Sequence, residues 1–315
     1  MYGQAPGRIE NCQVAVFLTY ATCTGYAVLD RALYLPQSWA GDPDRRDEAG
    51  VPEDVHCRTK PVLAQRLITD ALDAGNPARW VAGDEVYGND PKLRKALETH
   101  SVGYVLAISC SHRVTTATGK IRADILAAGL PKRAWQPRSA SDGAKGPRIY
   151  DWAWIEIAGD DDKHTTGCRW LLVRRNQHSG ELAFYRSWAP GPVTLAQLVK
   201  VAGRRWSIEE NFQTAKGLTG LDQHQVRHWR SWHRWTLLAM LAYAFLSILA
   251  AGQRELERPS DGLIAFTRHE IRHLYAVLIQ PAHTIRHRLH WSTWRRRHQH
   301  RARTSHYQRR SQLTP

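Results

Sequence analysis

The amino-acid sequence predicts an α/β protein: a mixed sheet, a β-rich block inserted into it, and a helical, basic C-terminus. Three observations carry this. Short apolar strands alternate with amphipathic helices through the first third of the chain. A group of strand-like segments joined by turn-like links follows, over residues 109–192. The remainder has helical spacing, and after Glu270 it holds no acidic residue.

The elements follow in order. QVAVFLTY (residues 13–20) reads as a buried strand, and GYAVLDRALYL (25–35) as its hairpin partner after the turn ATCTG. A loop rich in Asp, Pro and Arg covers residues 40–54. TKPVLAQRLITDALDAG (59–75) has helical spacing, with Val62, Leu63, Leu67, Ile68 and Leu72 on one face and Gly75 as its stop. RWVAGD is a short strand ending at Asp84; a helix near residues 90–99 and the strand GYVLAIS complete a β-α-β unit. Residues 136–148, QPRSASDGAKGPR, read as a loop by composition. YDWAWIEI, RWLLVRR and ELAFYRSW read as three antiparallel strands. Helical pattern returns at TLAQLVKVAG, continues through RRWSIEENFQTAKGLTG and the apolar run from Trp235 to Ala251, and recurs over residues 261–279. Four segments result: a core over 7–108, the β-rich insertion over 109–192, returning core helices over 193–255, and an Arg/His-rich region over 256–315.

Charge narrows the function. The 315 residues carry 44 Lys and Arg against 29 Asp and Glu, a net of +15. Ten arginines follow Glu270, so the remaining 34 basic residues against the same 29 acidic ones leave only +5 upstream. A basic tail on a mildly basic body, interleaved with Trp291, Trp294 and Tyr307, points to nucleic acid. The five cysteines are scattered without a C-x-x-C pair, which speaks against a disulfide framework or a zinc site and fits a reducing cytosol. The apolar run at 235–251 is at the lower length limit for a bilayer span, so a buried core helix is expected and no membrane partner.

Two patterns carry chemistry. In WVAGDEVYG, Asp84 ends a short apolar strand before a glycine turn, where an α/β sheet presents functional groups; an Asp capping the next helix would look the same. In RWSIEENFQTAK, Arg205 and Glu209 stand four residues apart and share a helix face that continues to Phe212 and Lys216. Glu210 is the neighbouring competitor, about 100° further round the helix.

R-W-x-I-E-x-x-F-x-x-x-K resembles the Y-R-E-K signature of a large branch of bacterial insertion-sequence transposases of the DDE superfamily. The match is at Arg205, Glu209 and Lys216; Ala202 stands where the signature has tyrosine. WVAGDEVYG is similar to the segment holding the second catalytic aspartate, and WSTWRRRHQHRARTSHYQRR is similar to C-termini of the group. The resemblance implies a ribonuclease-H-like sheet, which the order β-β-α-β-α-β fits if the first strand is missing. It implies Asp84 and Glu209 as catalytic, metal-binding carboxylates, and Mg²⁺ as the cofactor with Mn²⁺ as a substitute. Arg205 and Lys216 would approach DNA phosphates, as would Arg295, Arg296, Arg297, Arg301 and Arg303 in the tail. The partners implied are the element's terminal repeats and target DNA, with a homodimer on paired ends in the bacterial, nucleoid-associated cytoplasm.

One residue of the site has no counterpart. The first catalytic aspartate should stand on a strand upstream of GRIENCQV, a segment that here starts at Gly7. Asp30 is on the wrong strand and beside Arg31. The chain is therefore expected to be a truncated or interrupted transposase with impaired cleavage, or one whose start codon is wrongly chosen and whose true start lies upstream. The alternative is a DNA-binding remnant that represses transposition.

Overall fold

The computed structural model describes residues 12–22, 25–143, 146–159, 166–256, 265–279 and 285–312. Gly7 to Asn11, the turn residues Cys23 and Thr24, and residues 261–264 lie outside that set. Two compact units divide the chain, Met1–Glu257 and Arg258–Pro315.

The first unit opens with the expected hairpin, β1 (Val14–Ala21) and β2 (Tyr26–Tyr34), antiparallel with a bulge at Leu18/Thr19. Two short helices follow, α1 (Gln37–Ala40) and α2 (Pro43–Ala49). Helix α3 (Lys60–Asp73) starts at the Pro pre-set for its first turn and stops before Gly75, whose φ of 81° only glycine adopts freely. Its buried face is Leu63, Ala64, Leu67 and Ile68, whereas Val62 is exposed. Strand β3 (Trp80–Gly83), helices α4 (Glu85–Gly88) and α5 (Pro91–Thr99), and strand β4 (Gly103–Ile108) form the parallel β-α-β unit.

A small hairpin, β5 (Arg113–Thr116) with β6 (Gly119–Arg122), and helix α6 (Ala123–Ala128) lead into β7 (Gln136–Gly143), β8 (Gly146–Glu156), β9 (Cys168–Arg175) and β10 (Leu182–Ala189). One six-stranded mixed sheet results, in the order β3-β4-β10-β9-β8-β7. The three strands expected over 150–188 are present and antiparallel. The loop expected at 136–148 is corrected: β7 and the start of β8 form a hairpin there, and residues 144–145 lie outside the described set. As the outermost strand, β7 bonds a neighbour on one side only, so Pro137 and residues of low β propensity are tolerated.

Side-chain alternation assigns the two faces of this sheet. Tyr104, Leu106 and Trp188 pack with Ile68, Leu93 and Leu97 of α3 and α5, and Leu171, Val173 and Phe184 pack with Ala123 and Ala127 of α6. The opposite face, with Val105, Trp152, Trp170, Leu172 and Tyr185, is covered by Leu195, Leu198, Val199 and Ala202 of α7 (Leu195–Thr219). The β1–β2 hairpin lies between the same layers. Val16 and Ala32 meet α3, while Phe17 and Val28 meet α7 and α8 (Trp229–Leu256).

Helix α8 departs from the expected buried core helix. Its face toward β2 and α7 is buried and includes Thr236 and Ser247, but Leu238, Leu241, Phe245 and Ile248 are exposed. The helix is apolar on all sides, so its sequence could not select a face; hydrogen bonds did. Arg31 donates to the Thr236 hydroxyl at 3.1 Å and to the His233 carbonyl at 2.9 Å, and the Tyr243 hydroxyl lies 2.6 Å from Asn211 Oδ1. By length and composition alone α8 is also capable of crossing a membrane.

One buried polar cluster ties α5 to the sheet. Glu98 accepts from the Tyr104 hydroxyl at 2.8 Å and from Arg169 Nη2 at 2.7 Å, the ion pair being only 8% and 12% exposed. Removing the acid leaves a buried guanidinium uncompensated. Glu98→Ala is expected to lower stability by about 3 kcal/mol, read from the denaturant midpoint.

Buried tyrosines give the fold an alkaline limit. Burial, and then the charge of Asp84, push Tyr87 up to about 12; burial also raises Tyr104 and Tyr185. A raised phenol stabilises the fold fully below its unfolded value near 10, and the contribution is lost as pH rises through the folded value. Stability should fall between pH 10 and 12, and Tyr87→Phe should recover about 2 kcal/mol of that loss in paired denaturation curves.

The second unit contains α9 (Arg268–Leu274), continuing as a wider turn over Tyr275–Ile279, and α10 (Ile285–Gln312). The basic tail, expected to be partly helical, is one helix over that range; Pro281 and His283 lie outside the described residues.

Candidate functional site

Asp84 directly follows β3 and is half-buried. Its Oδ1 accepts from the Val86 amide at 2.9 Å, so it does cap α4. That bond uses one oxygen; Oδ2 has no partner among the described residues and is open to a ligand. Gly88, one turn further on, is where α4 meets the sheet: a Cβ there would lie 1.9 Å from the Ala107 carbonyl oxygen. This contact holds the turn after Asp84 against β4.

Helix α7 carries Arg205, Glu209 and Lys216. Thr194 and Gln197 cap it reciprocally, and Gly220 ends it with a left-handed φ of 66°. Its closest approach to the sheet is at Gly203, where a Cβ would lie 1.9 Å from the Ala140 carbonyl oxygen of β7. Beside it Ala202 is buried at 3% exposure, so the tyrosine of the resembled signature has no space at this position.

Two contacts orient α7 against the hairpin, and a third places the segment before β3 beside it. The Tyr20 hydroxyl bonds the Pro77 carbonyl at 2.7 Å, which sets the start of β3 beside the end of β1. Arg204 donates to the Tyr26 hydroxyl at 2.8 Å, at that same end of the hairpin. Phe212 meets Phe17 edge-on at 5.2 Å, further along β1. Helix α7 also contacts β3, the strand that Asp84 follows.

The two adjacent glutamates differ. Glu210 is held by Arg148 at 2.7 Å, whereas Glu209 is exposed and makes no ion pair among the described residues. Arg205 makes no bridge to Glu209; its guanidinium lies 5.8 Å from the Trp206 ring. Lys216 is 3.9 Å from Asp222. Asp30 Oδ1 accepts from the Arg31 amide at 2.7 Å and lies 3.5 Å from the Arg31 guanidinium, the strand-edge pairing expected for it.

Sequence reasoning missed a basic and aromatic cluster beside α7. Arg148, Arg174 and Arg205 all stand within 5.8 Å of the Trp206 ring centre, and Arg174 also lies 4.7 Å from Tyr150. The Nε atoms of Arg174 and Arg205 are buried without a hydrogen-bond partner. Glu210 pairs with Arg148, which leaves Arg174 and Arg205 as the cations beside the indole that a phosphate would stabilise. The period-two alternation of Arg148, Tyr150 and Trp152 was the available signal; it needed the register of β8 against β9 to become a site.

Metal ligation is incomplete within these residues. Among the described residues no three His, Cys, Asp or Glu side chains cluster to hold a metal ion. Asp84 and Glu209 are two oxygen donors of the right chemistry for Mg²⁺ and no third accompanies them.

The sheet itself is interrupted at the corresponding place. Among the described residues β1 pairs only with β2, and β3 only with β4, although α3 contacts both strands of the hairpin and α7 contacts β3.

In the tail unit, Arg295, Arg296, Arg297, Arg301 and Arg303 are all exposed on α10. Trp291 packs on Trp294 at 5.3 Å, and Trp294 stacks on His298 at 5.4 Å with the rings within 5° of parallel. An aromatic stripe therefore runs along a helix whose described charged side chains are all basic.

No curated protein matches the chain. Residues 1–152, which end within β8 and include Asp84, match the family model described as DDE superfamily endonuclease.

Proposed function

We propose that the chain serves DNA transposition, cutting and joining DNA at the ends of an insertion sequence by metal-dependent phosphoryl transfer. What supports this reading is two carboxylates without an ion pair among the described residues, Asp84 after β3 and Glu209 on α7, a helix that contacts β3. The sheet is read as ribonuclease-H-like, and Arg205, Glu209 and Lys216 as the Arg, Glu and Lys of the Y-R-E-K branch. The reading needs a third carboxylate, on a strand that would pair with the ladder edges of β1 and β3 that have no partner among the described residues. With that strand in place, Mg²⁺ or Mn²⁺ would be held by Asp84, Glu209 and the added carboxylate, and would activate a water or 3′-hydroxyl for in-line attack. Arg205, Lys216 and the Arg148–Arg174 pair hold the phosphate backbone, and the α10 arginines add further contacts to DNA. The working form is a homodimer on paired terminal repeats in the nucleoid.

The alternative reading is a chain that binds DNA with no cleavage, as in a repressor of transposition. The deciding experiment measures Mg²⁺-dependent nicking of terminal-repeat DNA by this chain and by a version extended upstream of Met1. Cleavage by the extended form alone is the expected result. If neither cleaves while both bind, the carboxylate assignment fails. If the short chain cleaves as well as the extended one, the vacant-strand reading fails.

A further inference from the structure

We propose that the exposed face of α8 is a self-complementary dimer interface, in which two copies of the chain pair their α8 helices antiparallel. The face is built as a seam. Leu238, Leu241, Phe245 and Ile248 are 66%, 57%, 48% and 71% exposed, and their spacing of three, four and three residues is that of paired core positions in a helix seam. Ala242 and Ala244 stand between them and Ala251 just beyond, small residues that let a second helix approach closely.

The arrangement selects the occupant. A spacing of three, four and three reads the same in both directions, so an antiparallel two-fold pairing closes it completely. Leu238 meets the partner's Ile248, and Leu241 meets the partner's Phe245, each pair occurring twice. Charge agrees with that orientation. Arg230 and Arg234 stand exposed at the start of α8 and Glu255 stands exposed at its end. In the register just given, each Glu255 lies within a turn of the partner's Arg234. A parallel pair would instead set arginine against arginine at one end and glutamate against glutamate at the other. Antiparallel packing also opposes the two helix dipoles favourably.

The helix is presented rigidly enough to serve. Its other face is fixed to the first unit by the Arg31 and Tyr243 hydrogen bonds and by packing of Ala239, Met240 and Tyr243 on Val28 and Ala215. Mobile apolar side chains would make a poor seam; these belong to a helix held along its length. The inference gives the proposed homodimer a specific surface, and it is measured without DNA or metal, so a failure to cleave DNA bears on the function and not on this interface.

The test uses the full chain in sedimentation or light scattering at micromolar concentration. A dimer is expected, and Leu241→Glu should weaken it by about a hundredfold or more. Because that variant can misfold, cysteine cross-linking supplies the second reading. Residues 238 and 248 are about 15 Å apart on one helix, beyond disulfide reach within a chain. The double variant Leu238→Cys/Ile248→Cys should therefore give a covalent dimer on mild oxidation, above the level seen for the unaltered chain. Either single variant should not. Cross-linking by Leu238→Cys alone means parallel pairing and overturns the proposal. A monomer with α8 protected from labelling gives the face to another part of the same chain, and a monomer that floats with lipid vesicles gives it to a bilayer; both overturn it.

Discussion

Asp84→Asn and Glu209→Gln each lower Mg²⁺-dependent cleavage of terminal-repeat DNA by about a thousandfold or more, while DNA affinity changes by less than about threefold. These outcomes are expected for a chain extended upstream of Met1 and assayed in single turnover. The substitutions isolate the charge. Asparagine caps a helix as well as aspartate, so the Val86 amide keeps its partner and the turn after β3 is preserved. Glutamine keeps the shape of Glu209 on an exposed helix face, where no ion pair among the described residues is lost. Glu210→Gln is the informative neighbour. It breaks only the pairing with Arg148, a surface contact, and should cost at most about tenfold. Equal losses at 209 and 210 would overturn the assignment of Glu209.

The second large effect concerns the tail. Replacing Arg295, Arg296 and Arg297 together by alanine should reduce the dependence of log affinity on log salt by about 3, since each phosphate contact contributes about 0.9 to that slope. Affinity should fall by similar factors for unrelated DNA sequences, because phosphate contacts position a protein without reading bases. Fold is not at risk: the three side chains are exposed on α10, and alanine favours helix. Fluorescence anisotropy across a salt series makes the measurement. An unchanged slope would remove these arginines from the DNA interface.

Much of the site was legible because its pieces are local. An apolar strand ending in Asp84 is visible as a string, and Arg205, Glu209 and Lys216 are related by helical spacing alone. Other features were not local. Nothing in the sequence separates Glu209 from Glu210 except register, whereas the structure occupies Glu210 with Arg148, a residue 62 positions away. Arg148, Arg174 and Trp206 come from two strands and a helix, and no string brings them together. The polar stretch at 136–148 looked like a loop because edge strands need little hydrophobic pattern; its pairing with β8 makes it a strand.

By itself the sequence determined the element order, the strand that ends in Asp84, the helix that carries Glu209, and the concentration of positive charge after Glu270. These follow from periodicity and composition, which act over a few residues. The tertiary structure alone decided that β7 to β10 extend the same sheet as β3 and β4, that α7 runs alongside β3, and that β1 and β3 share no ladder. It also decided which side of α8 is buried. Each of these depends on hydrogen bonds and packing between segments far apart in the chain, and an evenly apolar helix such as α8 leaves the choice of face to its neighbours.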